Sequence, residues 1–227
     1  MMAGPSDQKS EKQKRAWGDR VQSTEEQREL REEILFETAA RLFNQFGFHG
    51  TSMSRLTEEL GLTKGALYYY VKDKSDLLYK LHLKSVEATR QSHDKGVSEG
   101  RNGLERIHGI VRHYVMTVAS SPTETFILLE EGVLNPDQTQ EVLDARKSLG
   151  MKIIHQIEAG IEDGSVIPCD PKLVYFMLLG AMAWINTWYD PEKEWTIEQF
   201  ATGMADLLTR MISSAPASEL SRDISDI

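Results

Sequence analysis

The side chains able to make or break bonds are few in this sequence and poorly spaced for the task. Cys169 is the sole cysteine. A thiol nucleophile needs a positioned base, and His155 is only a conjectural partner, so a small loop or core residue is the plainer reading. His108 and His113 lie five residues apart, out of register for one helix face. His82 and His93 can share a face, where solvated histidines are the simpler reading. No nucleophile is paired with a base, no glycine-rich phosphate loop occurs, and no metal-ligand spacing is found. The chain therefore reads as a non-enzyme with no cofactor and no metal. What remains is non-covalent chemistry. Hydroxyl, ammonium and phenol donors crowd between residues 51 and 74: Thr51, Ser52, Ser54, Thr63, Lys64, Tyr68, Tyr69, Tyr70 and Lys74.

The chain of 227 residues suits one large domain, or a small domain fused to a larger one. Hydrophobic residues are 40% of it, enough for a core. The net charge is −9, which at first argues against a polyanionic partner. The distribution answers that. Residues 1–75 carry 12 Lys and Arg against 12 Asp and Glu, whereas the rest carries 14 against 23. The N-terminal end is neutral with basic clusters, so DNA binding there is permitted. A lone cysteine fits a reducing compartment. The first 25 residues are polar, without a secretory signal, and the longest apolar run, Leu173 to Ile185, is too short to span a bilayer. These features predict a soluble, cytoplasmic protein that does not enter membranes.

Abundant Ala, Leu, Glu, Met, Lys and Gln favour helix, and the expected fold class is all-α. Residues 1–25 read as a disordered tail, and 215–227 as a second one. A first helix runs from about Thr24 to Phe46, with Ile34, Leu35, Thr38, Ala39, Leu42, Phe43 and Phe46 at helical spacing and Gly47 as its stop. A brief helix follows from Thr51 or Ser52 to Leu60, broken by Gly61. A second begins after Thr63 and ends at Tyr70. A long helix runs from Lys74 or Ser75 to about Gly100. Two short helices joined by a glycine turn, behind a longer support, make a helix-turn-helix unit over 26–75. In such a unit the second short helix enters the major groove. Residues 76–214 form the larger domain, with helices expected near 103–120, 123–132, 137–163, 171–189 and 196–214.

From Gly47 to Leu78 the sequence reads GFHGTSMSRLTEELGLTKGALYYYVKDKSDLL. Gly47-Phe48, Thr51-Ser52, Leu56, Gly61-Leu62, Gly65, Leu67-Tyr68, Lys74 and Leu77-Leu78 resemble the signature of TetR-family regulators over its whole length. Many members carry His-Phe where this chain has Tyr70-Val71. The resemblance implies an N-terminal DNA-binding domain, a C-terminal ligand-binding and dimerisation domain, and a repressor that releases double-stranded DNA when a small molecule binds. It implies phosphate contacts from Thr51, Ser52, Tyr68, Tyr70 and Lys74. Hydroxyls at a helix N-terminus suit that task, although Tyr68 and Tyr70 equally suit core packing. Base readout is expected from Thr63, Lys64, Gly65, Ala66 and Tyr69, with Ser54 a weaker candidate. Lys64 can donate to guanine O6 and N7, and the small Gly65 and Ala66 allow close approach. Whether the chain represses, activates, or acts without a ligand depends on features outside its sequence.

The segments ARKSLGMKIIHQIEAGIEDG and WINTWYDPEKEWTIEQF are loosely similar to TetR-type regulators of steroid and fatty-acid breakdown that sense acyl-CoA thioesters. Phe126, Leu129, Met151, His155, Met177, Trp184 and Trp188 are the expected ligand contacts, with Tyr114, Met116, Ile154 and Phe176 as further wall material. Arg106, Arg112, Arg146 and Lys147 are candidates to meet phosphates. The helix 171–189 is apolar nearly all round and so must be buried on both sides. It and the last helix are expected to pair with their copies as a four-helix interface in a homodimer. Such a dimer holds two reading heads about 35 Å apart on a palindromic operator.

Overall fold

The computed structural model describes residues 24–120, 132–190, 192, 193 and 195–215. The expected tails fall almost wholly outside these residues. So do Phe126, Leu129 and nearly all of the expected helix 123–132. The described residues are helical with short connections, and the architecture is all-α. The elements are α1 (Thr24–Gly50), α2 (Met53–Leu60), α3 (Lys64–Tyr70), α4 (Lys74–Glu99), α5 (Gly103–Ser120), α6 (Pro136–Glu162), α7 (Pro171–Ala183), α8 (Ile185–Trp188) and α9 (Ile197–Arg210).

Local chemistry sets most boundaries. Ser52 caps α2 by accepting from the Arg55 amide at 3.1 Å, and Thr63 caps α3 by accepting from Ala66 at 3.3 Å. Gly61 ends α2 at φ 62°, a left-handed conformation that favours glycine. Asp73, Asn135 and Asp170 cap α4, α6 and α7, the last two with proline in the first turn. Thr196 and Gln199 form a reciprocal capping box on α9. Gly47, at φ 71°, kinks the end of α1, and one further helical turn follows it.

Two cores result. The first joins α1 to α3 with Leu77, Leu78 and Leu81 of α4, and Leu134 and Val142 from the α6 end pack into it. The second gathers α5, α6, α7 and α9 around Ile107, Val111, Val115, Ile157, Leu178, Ile185, Phe200 and Ala201. At its far end α4 crosses α5 with backbones in contact. A Cβ added to Gly96 would lie 2.2 Å from the Ile110 nitrogen, so only glycine fits that crossing.

The apolar 171–189 stretch corrects an expectation. It is not one helix, because the backbone leaves helical geometry at Trp184. Within the single chain only one of its sides is buried. Val174, Leu178 and Met182 face the core, while Leu173, Phe176, Met177 and Trp184 are exposed. On α9, Leu207 and the adjoining Met211 are exposed too. No helix among the described residues is long and apolar enough to cross a membrane.

Candidate nucleic-acid interface and cavity

The head presents α3 to solvent. Thr63, Lys64, Gly65, Tyr68 and Tyr69 are exposed, Ala66 is half-buried, and Leu67 alone is fully buried beneath them. Tyr69 is the most open of the tyrosines on α3, at 72% exposure, and meets Tyr70 edge-on. Tyr70 packs against the head's core and its carbonyl accepts from Lys80 Nζ at 2.7 Å. A Cβ on Gly65 would meet nothing within 4 Å. The fold itself therefore does not require glycine there, which leaves an outward reason for its smallness. Ser52 and Ser54 are exposed on α2.

Two expected phosphate contacts turn inward instead. Thr51 is fully buried, and its hydroxyl lies 3.1 Å from the Leu42 carbonyl and 3.0 Å from that of Gly47. Lys74 Nζ donates to the carbonyls of Phe48 and Thr51, each at 2.8 Å, and sits 4.1 Å from the Phe48 ring centroid. Both side chains hold the turn between α1 and α2, where the carbonyls left over by the helix end need donors.

The second site is a cavity of about 180 Å³, partly open to solvent and lined by α4, α5, α6 and α7. Its wall is mostly aliphatic, with Ile107, Ile110, Val111, Leu149, Ile153, Leu178 and Met182. Ser85, Val86 and Thr89 of α4 close one side, and Tyr114, Arg146 and Tyr175 supply the larger polar groups. Of the expected wall residues, Tyr114 lines it, whereas none of the principal expected contacts within the described residues does. Met151, His155, Met177, Trp184 and Trp188 are all exposed. The reason is helical phase. Met177 is one residue from the lining Leu178, and Met151 one from Gly150, and a step of about 100° turns each outward. Trp188 packs edge-on against Phe200, 5.2 Å away. Of the candidate cations, Arg106 binds the Gly100 carbonyl and Arg112 pairs with Glu198, while Arg146 alone reaches the cavity. Tyr175 and the α4 residues were missed by sequence reasoning. The available signal was a polar tip inside an apolar run.

The histidines also differ from expectation. His82 is fully buried and His93 nearly so, rather than solvated. Arg146 Nη2 lies 2.9 Å from His82 Nδ1. A guanidinium can only donate, so Nδ1 accepts and the ring proton sits on Nε2. Burial first, and the Arg146 charge second, lower the His82 pKa to about 4. The folded state thus binds fewer protons than the unfolded chain between pH 6.5 and 4, and stability is lost as pH falls through that window. The drop from 6.5 to about 4 corresponds to about 3 kcal/mol. Urea titrations at pH 7 and pH 4.5 will show a smaller pH effect for His82→Asn than for the natural chain. Equal effects would remove His82 as the source. Cys169 has its thiol pKa raised, by burial and then by Asp170, the reverse of an activated nucleophile.

Residues 35–81 match the model of the bacterial regulatory proteins, tetR family, and residues 100–212 match the tetracyclin repressor-like C-terminal domain. The chain belongs to the TetR family. Its head is therefore the TetR helix-turn-helix, and α5 to α9 belong to the TetR C-terminal domain. Among relatives, the HTH-type transcriptional regulator YhgD of Bacillus subtilis (strain 168) is 26% identical over 165 residues, 72% of this chain and 85% of its own length. The crystal structure of AibR with isovaleryl coenzyme A and operator DNA superposes with a TM-score of 0.67 at 28% identity, covering 79% of this chain and 98% of AibR. The ketosteroid regulator KstR2 of Mycobacterium tuberculosis shares the TetR fold at 19% identity and TM-score 0.66, over 82% and 96% of the two chains.

Proposed function

We propose that this TetR-family regulator is a homodimeric, cytoplasmic repressor that leaves a palindromic operator when a small acyl-bearing molecule fills the cavity. The observation that carries this reading is α4. One continuous helix places Leu77, Leu78 and Leu81 in the head's core and Ser85, Val86 and Thr89 in the cavity wall. Its far end is pinned by the contact of Gly96 with α5. Lys74 lies 22 residues from that pin and Val86 lies 10, so a displacement at the cavity roughly doubles at the head. Packed elements switch between discrete arrangements rather than stretching, and a changed head separation raises the cost of occupying two half-sites.

Residues 26–75 act as the reading head and 76–214 as the effector and dimer domain. The exposed stripe of Leu173, Phe176, Met177 and Trp184 on and beside α7, with Leu207 and Met211 on and beside α9, meets its copy in the partner. Within the chain, Cβ atoms on Gly180 and Gly203 would touch nothing, which leaves room for a partner backbone. AibR, crystallised with an acyl-coenzyme A and its operator, supports an acyl group as effector.

On DNA, Thr63, Lys64, Gly65, Ala66 and Tyr69 read bases with help from Ser54, while Ser52 and Tyr68 meet phosphate. Operator selection from random duplexes, followed by footprinting, tests the reading. It requires an inverted repeat with half-sites one helical turn or a multiple apart, and a single unpaired half-site overturns it. Lys64→Ala then loses roughly 10-fold or more on the selected operator, in line with about 1–3 kcal/mol per base contact, and far less on random duplex. Equal losses on both would make Lys64 a phosphate contact.

A further inference from the structure

An acyl-bearing effector can carry its acyl group as a free acid or as a coenzyme A thioester. We propose that the cavity selects a small free carboxylate, held by Arg146 together with the phenols of Tyr114 and Tyr175, with a hydrocarbon tail along α5 and α7. This inference rests on the cavity being the effector site.

Three donors from three different helices converge on a space that is otherwise aliphatic. Arg146 comes from α6, Tyr114 from α5 and Tyr175 from α7. A carboxylate has two oxygens and about four acceptor positions, enough for a guanidinium edge and both hydroxyls at once. A thioester offers one neutral carbonyl oxygen with two lone pairs, so it answers at most two of the three donors and carries no charge for the guanidinium. The protonation states agree. Burial pushes the Tyr114 pKa up to about 12 and raises that of Tyr175, so both stay protonated donors. Burial is the main cause that lowers the Arg146 pKa. A guanidinium remains charged throughout.

Size points the same way. A cavity of roughly 150 Å³ takes benzene, so about 180 Å³ takes a molecule of six to eight carbons. The nucleotide and pantetheine of coenzyme A are far larger than that and would have to lie outside it, whereas a small free acid fits whole. Arg146 also has a present partner in His82 of α4, which an entering carboxylate competes with. The chemistry that recognises the effector thus touches the helix that moves the head.

The test is a ligand series on the full-length protein, read by calorimetry and by operator release. Hexanoate, octanoate and benzoate are the acids. Hexanamide, methyl hexanoate and toluene are the neutral probes, and hexanoyl-coenzyme A is the thioester. The acids bind at least 30-fold more tightly than the amide and ester of the same length. Arg146→Gln removes that preference, and Tyr175→Phe, which keeps the ring packing, reduces it several-fold. Amide, ester or thioester binding as tightly as the acid would overturn the carboxylate inference and leave the cavity as the effector site. So would an acid preference that survives Arg146→Gln. If no member of the series binds, toluene included, the cavity reading itself fails and this inference fails with it.

Discussion

Lys74→Met melts early and binds operator weakly, yet keeps the natural salt dependence. The two halves of that result separate two roles for one lysine. A lysine that neutralises a phosphate releases a counterion, and its loss reduces the salt slope of binding by about one. Its loss leaves the melting temperature alone. Here Nζ is bonded at 2.8 Å to the carbonyls of both Phe48 and Thr51, with the Phe48 ring beneath it. Hydrogen bonds to a charged group contribute about 1.5–3 kcal/mol each. Met fills the lysine's volume but donates nothing, so about 2–4 kcal/mol is lost, less than two fully buried bonds would contribute because both are only part-buried. For a chain of this size that lowers Tm by roughly 5–12 °C. Operator affinity falls because the clipped turn carries Ser52 and the start of α2. Calorimetry with salt-dependent binding decides the matter. An unchanged Tm with a shallower slope would return Lys74 to the phosphate backbone.

That case also shows what was legible in the sequence. Signals that act within a few residues transferred well. Gly61 as a helix stop and Thr63 just before a helix start each fixed a helix end, because the partners sit three or four positions apart. The exposed surface of α3 followed from those ends. Directions that depend on distant partners did not transfer. Lys74 bonds across 23 and 26 residues, and Arg146 meets His82 across 64. A lysine beside a helix start looks the same in sequence whether it points out or in. The wall of the cavity was lost for a related reason. In α7 nearly every residue is apolar, so the sequence carries no phase to tell Leu178 from Met177. Burial supplies that phase, and it puts Tyr175, Leu178, Leu179 and Met182 toward the cavity. The aromatic residues that looked most like ligand contacts, Trp184 and Trp188, sit at 63% and 52% exposure, and Trp184 extends the α7 stripe.

The stripe on α7 carries the other large effect. Phe176→Glu combined with Leu207→Glu yields a folded monomer that has lost at least 100-fold in operator affinity. Phe176 and Leu207 are 54% and 60% exposed in the single chain, so charging them leaves both cores intact. A contiguous apolar face of this kind is unusual on a monomer. Leu173, Phe176, Met177 and Gly180 recur at three- and four-residue spacing along α7, the spacing of one helix face, while the alternate positions Val174, Leu178 and Met182 are buried. Self-pairing about a two-fold axis places like charges against one another when each copy carries the glutamates, and desolvating them costs several kcal/mol. The loss on DNA follows from linkage. With two heads on one rigid body, the second half-site is engaged at an effective concentration that raises affinity by about 10²–10⁴ over one head. A monomer forfeits that factor while its single head still binds nonspecifically. Light scattering at micromolar concentration gives the mass, circular dichroism checks that the helices persist, and operator titration gives the affinity. A variant that stays dimeric with natural affinity would move the interface off α7 and α9. A monomer that still held the full operator at natural affinity would show that one head suffices, and the change in head separation could then no longer be the means of release.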